Sequence, residues 1–255
     1  MSPSDLPALD CHAHIAPDVT PAQVAGLRGS LVFAMTRSPA EARAASRRSD
    51  QTLLWGFGAH PGVPAAVAAV NEAVLTRAVS DFVLLGEVGL DRRGPAGPQQ
   101  HALETVLAAS SGRPVLLSLH STGRTRQLLD TLRQQPHAGA ILHWFNGSPD
   151  EIAEATDLGC YFSVNNAMTD GRLALMPPDR MLPETDFPSS RRTILASRSG
   201  DMAALERRLA SRDGVPEGAV RLGWYANLRR LTDSAGVTGR LPAHWRQVLS
   251  ALPTE

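Results

Sequence analysis

Eight short apolar runs, at 8–12, 30–35, 52–58, 82–88, 115–119, 140–143, 161–164 and 181–184, alternate with Ala/Leu/Arg segments of helical character. That alternation is the pattern of βα units around a parallel sheet, and eight such units predict closure into an α/β (β/α)8 TIM barrel, somewhat irregular in its spacing. Helices are predicted over 39–49, 64–78, 99–111, 124–135 and 149–158, then over 201–212, 218–233 and 242–252. The intervals 35–52 and 164–181 leave room only for short ones. The 149–158 boundary carries the fullest signal: Ser148 stands at the cap, Pro149 at the first helical position, and Glu151 completes a capping box. The Ser/Arg-rich stretch 188–199 reads as a loop over the barrel mouth or as disorder.

At 255 residues the chain has the length of one such barrel, so 1–255 is expected to form a single domain. The formal net charge is zero and the pI about 7.1, so no global field draws the protein to nucleic acid or anionic membrane. All 25 basic residues are Arg. The cysteines are two, Cys11 and Cys160, without a CxxC or secreted-domain framework. No apolar stretch is long enough to span a bilayer and no signal core opens the chain, so a cytoplasmic location is expected.

The chemistry concentrates at the C-terminal ends of the apolar runs. Asp10-Cys11-His12-Ala13-His14 ends the first run, and strand alternation projects Asp10, His12 and His14 to one side. His60 follows the third run, Glu87 and Asp91 the fourth, His120 the fifth, His143 the sixth, and Glu184 and Asp186 the eighth. In a (β/α)8 barrel these ends converge on the active-site face. Four histidines with Glu87 and Asp186 suffice to hold two divalent ions bridged by a carboxylate. His101, His137 and His244 lie outside this pattern and read as surface residues.

The ordered series Asp10–His14, Gly58-Ala-His60-Pro61, Gly86-Glu87-Val-Gly-Leu-Asp91, Leu119-His120, His143-Trp-Phe-Asn-Gly147-Ser148 and Glu184-Thr185-Asp186-Phe-Pro188 resembles the TatD family of metal-dependent deoxyribonucleases, which are amidohydrolase-type barrels. The match covers about residues 8–190, and Asn227-Leu-Arg-Arg-Leu231 resembles the family's closing helix. The His143–Ser148 block and Phe162-Ser-Val164 further resemble a shorter branch associated with the TatD-like component of Qat anti-phage systems, which would bring partner proteins of a defence complex.

The resemblance implies His12, His14, Glu87, His120, His143 and Asp186 as ligands of two divalent ions (Mg, Mn or Zn). Such ions lower the pKa of a bound water and neutralise charge on a phosphodiester as hydroxide attacks phosphorus. Asp186 and Glu87 are the catalytic carboxylates, with Asp186 taking the proton of the nucleophile. Glu184 and Asp10 are assigned to orienting ligands, and Asp91 to orienting a ligand or capping a turn. His60 faces substrate or merely shapes the turn at Pro61. Arg92, Arg93, Arg124, Arg191 and Arg192 grip a DNA backbone, single-stranded or at its ends, or are simply solvated. Trp144 and Phe145 stack a base or lie buried beneath the rim.

Two departures from the family stand out. Thr122 occupies the place of the usual Arg two residues after the fifth-strand His, and neither a Tyr-Leu-x-Pro segment after Pro188 nor an Arg-Asn-x-Pro box is present. A barrel metallohydrolase of small amides, esters or lactones, or a binding subunit of a defence complex, therefore stand as alternatives to the nuclease.

Overall fold

The computed structural model describes residues 5–189 and 195–253. The chain runs β1 (Leu9–His14), α1 (Pro21–Ala25), β2 (Leu31–Met35), α2 (Pro39–Ala45), β3 (Leu53–Phe57), α3 (Pro64–Ala68), α4 (Glu72–Asp81), β4 (Leu84–Gly89), α5 (Ala96–Ser110), β5 (Leu116–His120), α6 (Thr125–Gln134), β6 (Ala140–Leu142), α7 (Pro149–Asp157), β7 (Tyr161–Val164), α8 (Asp170–Leu175) and β8 (Met181–Pro183). Three further helices follow, α9 (Ala203–Asp213), α10 (Glu217–Ser234) and α11 (Ala243–Ser250).

All eight strands are parallel and ordered as in the sequence, the (β/α)8 arrangement that the apolar runs predict. They are buried on both faces, which explains why they read as continuous apolar runs and not as alternating ones. The seam between β8 and β1 is closed just past the end of β8. There the Asp186 N–H donates to the His12 carbonyl and the His14 N–H to the Phe187 carbonyl, both at 2.8 Å.

The helix starts follow capping chemistry. Ser148 accepts from the Glu151 N–H while Glu151 accepts from the Ser148 N–H at 2.7 Å, so the expected capping box forms. The segment predicted as one helix over 64–78 is two. Asn71 breaks it by accepting from the Val74 N–H at 3.0 Å and starting α4 afresh. The short α1 was not among the predicted helices, although Thr20 and Gln23 cap it reciprocally around Pro21.

The family-like segment at Asn227 lies on α10, which braces the seam from outside. Asn227 donates to the carbonyls of Pro178 and Met181 at 2.8 and 2.7 Å, and Tyr225 donates to the Pro7 carbonyl. Arg221 pairs with Glu206 and reaches the Leu6 carbonyl. Trp245 of α11 is fully buried, with its ring 5.4 Å from that of Phe33. No helix among the described residues is long and apolar enough to cross a membrane.

Candidate metal centre

Strand ends carry the cluster, and two irregularities aim it. The β1–β2 pairing shifts register between Asp10 and Ala13, and the β4–β5 pairing between Leu85 and Val88. His12 and Glu87 sit within these shifts, where an extra residue re-aims a side chain. Close backbone approach does the rest. A Cβ on Gly89 would lie 2.2 Å from the His120 carbonyl oxygen, and one on Gly58 would lie 1.7 Å from that of Thr36. Asp186 itself holds φ at 48°, a left-handed conformation unusual for a residue with a side chain.

The buried Glu87 carboxylate is the hub. Its Oε2 lies 3.7 Å from His12 Nε2 and 3.2 Å from His14 Nε2. Its Oε1 lies 2.5 Å from His120 Nδ1 and 3.8 Å from His143 Nε2. The two oxygens thus divide the four histidines into two pairs. Asp186 Oδ1 joins the first pair, 3.4 Å from His14 Nε2 and 3.9 Å from His12 Nε2. Three ligand groups result, His12/His14/Glu87, His12/His143/Asp186 and Glu87/His120/His143.

Three imidazoles are anchored through their far nitrogens. His12 Nδ1 shares a hydrogen bond with Ser118 Oγ at 2.8 Å, His120 Nε2 donates to Asp91 at 3.1 Å, and His143 Nδ1 donates to Glu184 at 2.8 Å. Each anchor leaves the other nitrogen facing Glu87, as metal-bound imidazoles require. His12 Nε2, Glu87 Oε2 and His120 Nδ1 are buried without an aligned hydrogen-bond partner. Close approach without alignment is the state of atoms aimed at a common centre and not at one another. The residues therefore fit divalent cations.

Electrostatics agree. Burial alone would raise Glu87, but His120, His12 and His14 hold its carboxyl well below the usual range. Burial opposes protonation of His14, yet Asp186 and Glu87 outweigh it and lift its pKa to about 9. His143 is lifted to about 10 by Glu184 against the same burial. Burial and the neighbouring His143 push His12 down. Without cations the cluster holds its negative carboxylates by protonating some imidazoles.

Several expectations change. Asp10 does not join His12 and His14 at the cluster. The register shift turns it to accept from the Thr185 N–H and hydroxyl and from the Gly200 N–H, while burial raises its carboxyl to about 6. It braces the turn that carries Asp186. Glu184 holds the His143 ring through Nδ1, and Ser163 and Asn165 donate to it in turn.

His60 reaches the cluster, with Nε2 3.3 Å from Glu87 Oε2. Its Nδ1 accepts from the Gly62 N–H at 2.8 Å, so neutral His60 carries its proton on Nε2 and faces the cleft as a donor. Asp91 orients His120 and is gripped by Arg93. Arg124, expected at the substrate, donates instead to the Gly94 carbonyl at 3.1 Å and lines a neighbouring surface groove. Arg191 and Arg192 fall outside the described residues. Phe145 is buried against Phe162, whereas Trp144 lines the cleft.

The cleft over the cluster has a volume of about 730 Å³ and carries Arg92 and Trp144 on its β4–β6 side. Arg37, two residues beyond β2, also lines it, and its guanidinium has no side-chain partner among the described residues. The strand-end rule that singled out the histidines applies to Arg37 equally; an Arg-rich chain hides such a residue among solvated ones.

Residues 9–233 match the TatD-related DNase family. The 3'-5' ssDNA/RNA exonuclease TatD of Klebsiella pneumoniae (strain 342) is 32% identical over 215 residues, covering 76% of this chain and 81% of the relative. The enzyme of the same description from Cronobacter turicensis is 36% identical over 123 residues, covering 42% of this chain and 46% of the relative, about half its length. Among solved structures, a TatD homologue from Escherichia coli K12 superposes with a TM-score of 0.71 at 22% identity, covering 87% of this chain and 97% of that one. A TatD-family hydrolase from Entamoeba histolytica gives 0.69 at 13% identity, covering 89% and 98%. On the family match, which spans the strands that supply the Glu87 hub, the chain belongs to the TatD-related DNase family.

Proposed function

We propose that this chain is a divalent-metal-dependent nuclease that hydrolyses phosphodiesters of single-stranded DNA, working inward from a 3' end as its relatives' description states. The observation that carries this reading is the division of four histidines between the two oxygens of Glu87. A carboxylate so placed would serve as a ligand shared by two cations. His12, His14 and Asp186 would hold one and His120 and His143 the other.

Bound cations would supply an acidified water and neutralise phosphate charge. The chain's own residues supply the remainder. Neighbouring histidines keep the Asp186 carboxyl below its ordinary range despite burial, so it is ionised and free to accept the proton of the attacking water. His60 presents an N–H towards a phosphate oxygen. Arg37, beyond β2, and Arg92, beyond β4, both line the cleft, where they can hold the flanking backbone. Trp144 offers a face on which a base can stack.

The test is direct. Protein stripped of metal should leave labelled single-stranded DNA intact and regain cleavage with Mg²⁺, Mn²⁺ or Zn²⁺. No cleavage with any of these defeats the reading. The His143–Ser148 block supports a place beside the partner proteins of an anti-phage system, and loss of phage protection on Asp186→Ala in that locus is the corresponding test.

A further inference from the structure

The cleft does not stop at the cluster. On the β1–β2 side it opens into a separate lobe of about 430 Å³ that shares His14, Arg37, His60 and Ser189 with the main cleft. The lobe's own walls are Ile15, Ala16, Met35 and Pro188, with Glu41 as its polar group. Its size lies within the range of about 300–1,000 Å³ typical of small-molecule sites, and apolar walls with few polar groups are their usual lining.

Glu41 sits in the first turn of α2, where its Oε2 accepts from the Arg37 N–H at 2.7 Å. The second oxygen has no partner among the described residues. The carboxylate lines the lobe and not the main cleft, whereas Arg37 lines both.

We propose that this lobe seats the 3'-terminal nucleoside of the strand, with its base against Ile15, Met35 and Pro188 and its free 3'-hydroxyl donating to Glu41. This deepens the nuclease reading and rests on it. The β4–β6 side of the main cleft, with Arg92 and Trp144, takes the continuing strand. A fixed carboxylate accepts a hydroxyl and repels a terminal phosphate, so the lobe selects unblocked ends.

The experiment compares single-stranded oligonucleotides ending in a 3'-hydroxyl or a 3'-phosphate, using wild type, Glu41→Gln and Ala16→Trp. Wild type should prefer the hydroxyl end by about tenfold or more, the size of one charge-assisted hydrogen bond gained or lost. Glu41→Gln should collapse that ratio, which is a selectivity and not a rate, so general loss of activity does not mimic it. Ala16 is exposed. A Trp there should fill the lobe and weaken binding of thymidine 5'-monophosphate, read by calorimetry, by about tenfold.

Equal cleavage of both ends by wild type, or a preference retained in Glu41→Gln, overturns the proposal. If wild type cleaves neither oligonucleotide, the nuclease reading has failed separately. The lobe then stands or falls on whether Ala16→Trp weakens thymidine monophosphate binding in folded protein.

Discussion

Glu184 Oε2 lies 2.8 Å from His143 Nδ1, and because Ser163 and Asn165 both donate to the same carboxylate, the His143 ring is fixed with Nε2 towards Glu87. Anchoring at one ring nitrogen leaves the other as a lone-pair donor. Glu184→Gln should therefore lower cation affinity by about 10–100-fold with little change in fold. Metal titration followed by calorimetry, alongside circular dichroism, checks this; unchanged affinity would remove Glu184 from the site.

The same pair sets a pH dependence. In metal-free protein His143 is raised from 6.5 to about 10. The stability from that protonated form is fully present below about pH 6.5 and is lost as pH climbs towards 10. Melting temperature of the metal-free protein should fall across that window. Cations compete with the same proton, so binding at pH 7 should release protons. A binding enthalpy that does not vary with buffer ionisation enthalpy would contradict this.

Arg37 and Arg92 are expected to act on the backbone and not on the bond. Arg37→Ala and Arg92→Ala should each raise KM more than they lower kcat. Each should also flatten the slope of log Kd against log salt by roughly 0.7, the value for one phosphate contact to single-stranded DNA. Fluorescence anisotropy at several salt concentrations reads the slope, and an unchanged slope places the side chain in solvent.

Gly58 tests the packing behind the rim. Its N–H donates to Thr36 Oγ1 at 2.9 Å while that hydroxyl donates to the Gly56 carbonyl, and the His60 N–H reaches the Arg37 carbonyl. A Cβ placed 1.7 Å from the Thr36 carbonyl oxygen forces β2 and β3 apart. Gly58→Ala should cost about 2–3 kcal/mol, read by urea unfolding. A wild-type midpoint would show that the strands yield freely.

The barrel and most of its centre are legible in the sequence because parallel strands announce themselves as apolar runs and their ends hold polar residues that a core rejects. His12, Glu87, His120, His143 and Asp186 all follow from that rule, and the structure brings them together. Asp10 escapes it because alternation assumes a regular pairing, and a register shift in β1 is invisible in residue order. Ser118 and Ser163, which steady His12 and Glu184, carry no mark distinguishing them from other small strand residues. Arg124 shows the converse. Proximity in sequence to His120 suggested substrate contact, but its guanidinium finds a backbone carbonyl first.

The N–H groups whose hydrogen bonds join the chain past the last strand to the first belong to Asp186 and His14, whose side chains also meet at the cluster around Glu87. Any loosening of that joint moves two side chains of the cluster at once, and an ion that drew those side chains together would tighten it. Assembly of the cylinder and assembly of its working centre are in this way one event, so the amides of His14 and Asp186 should exchange with solvent more slowly once cations are bound.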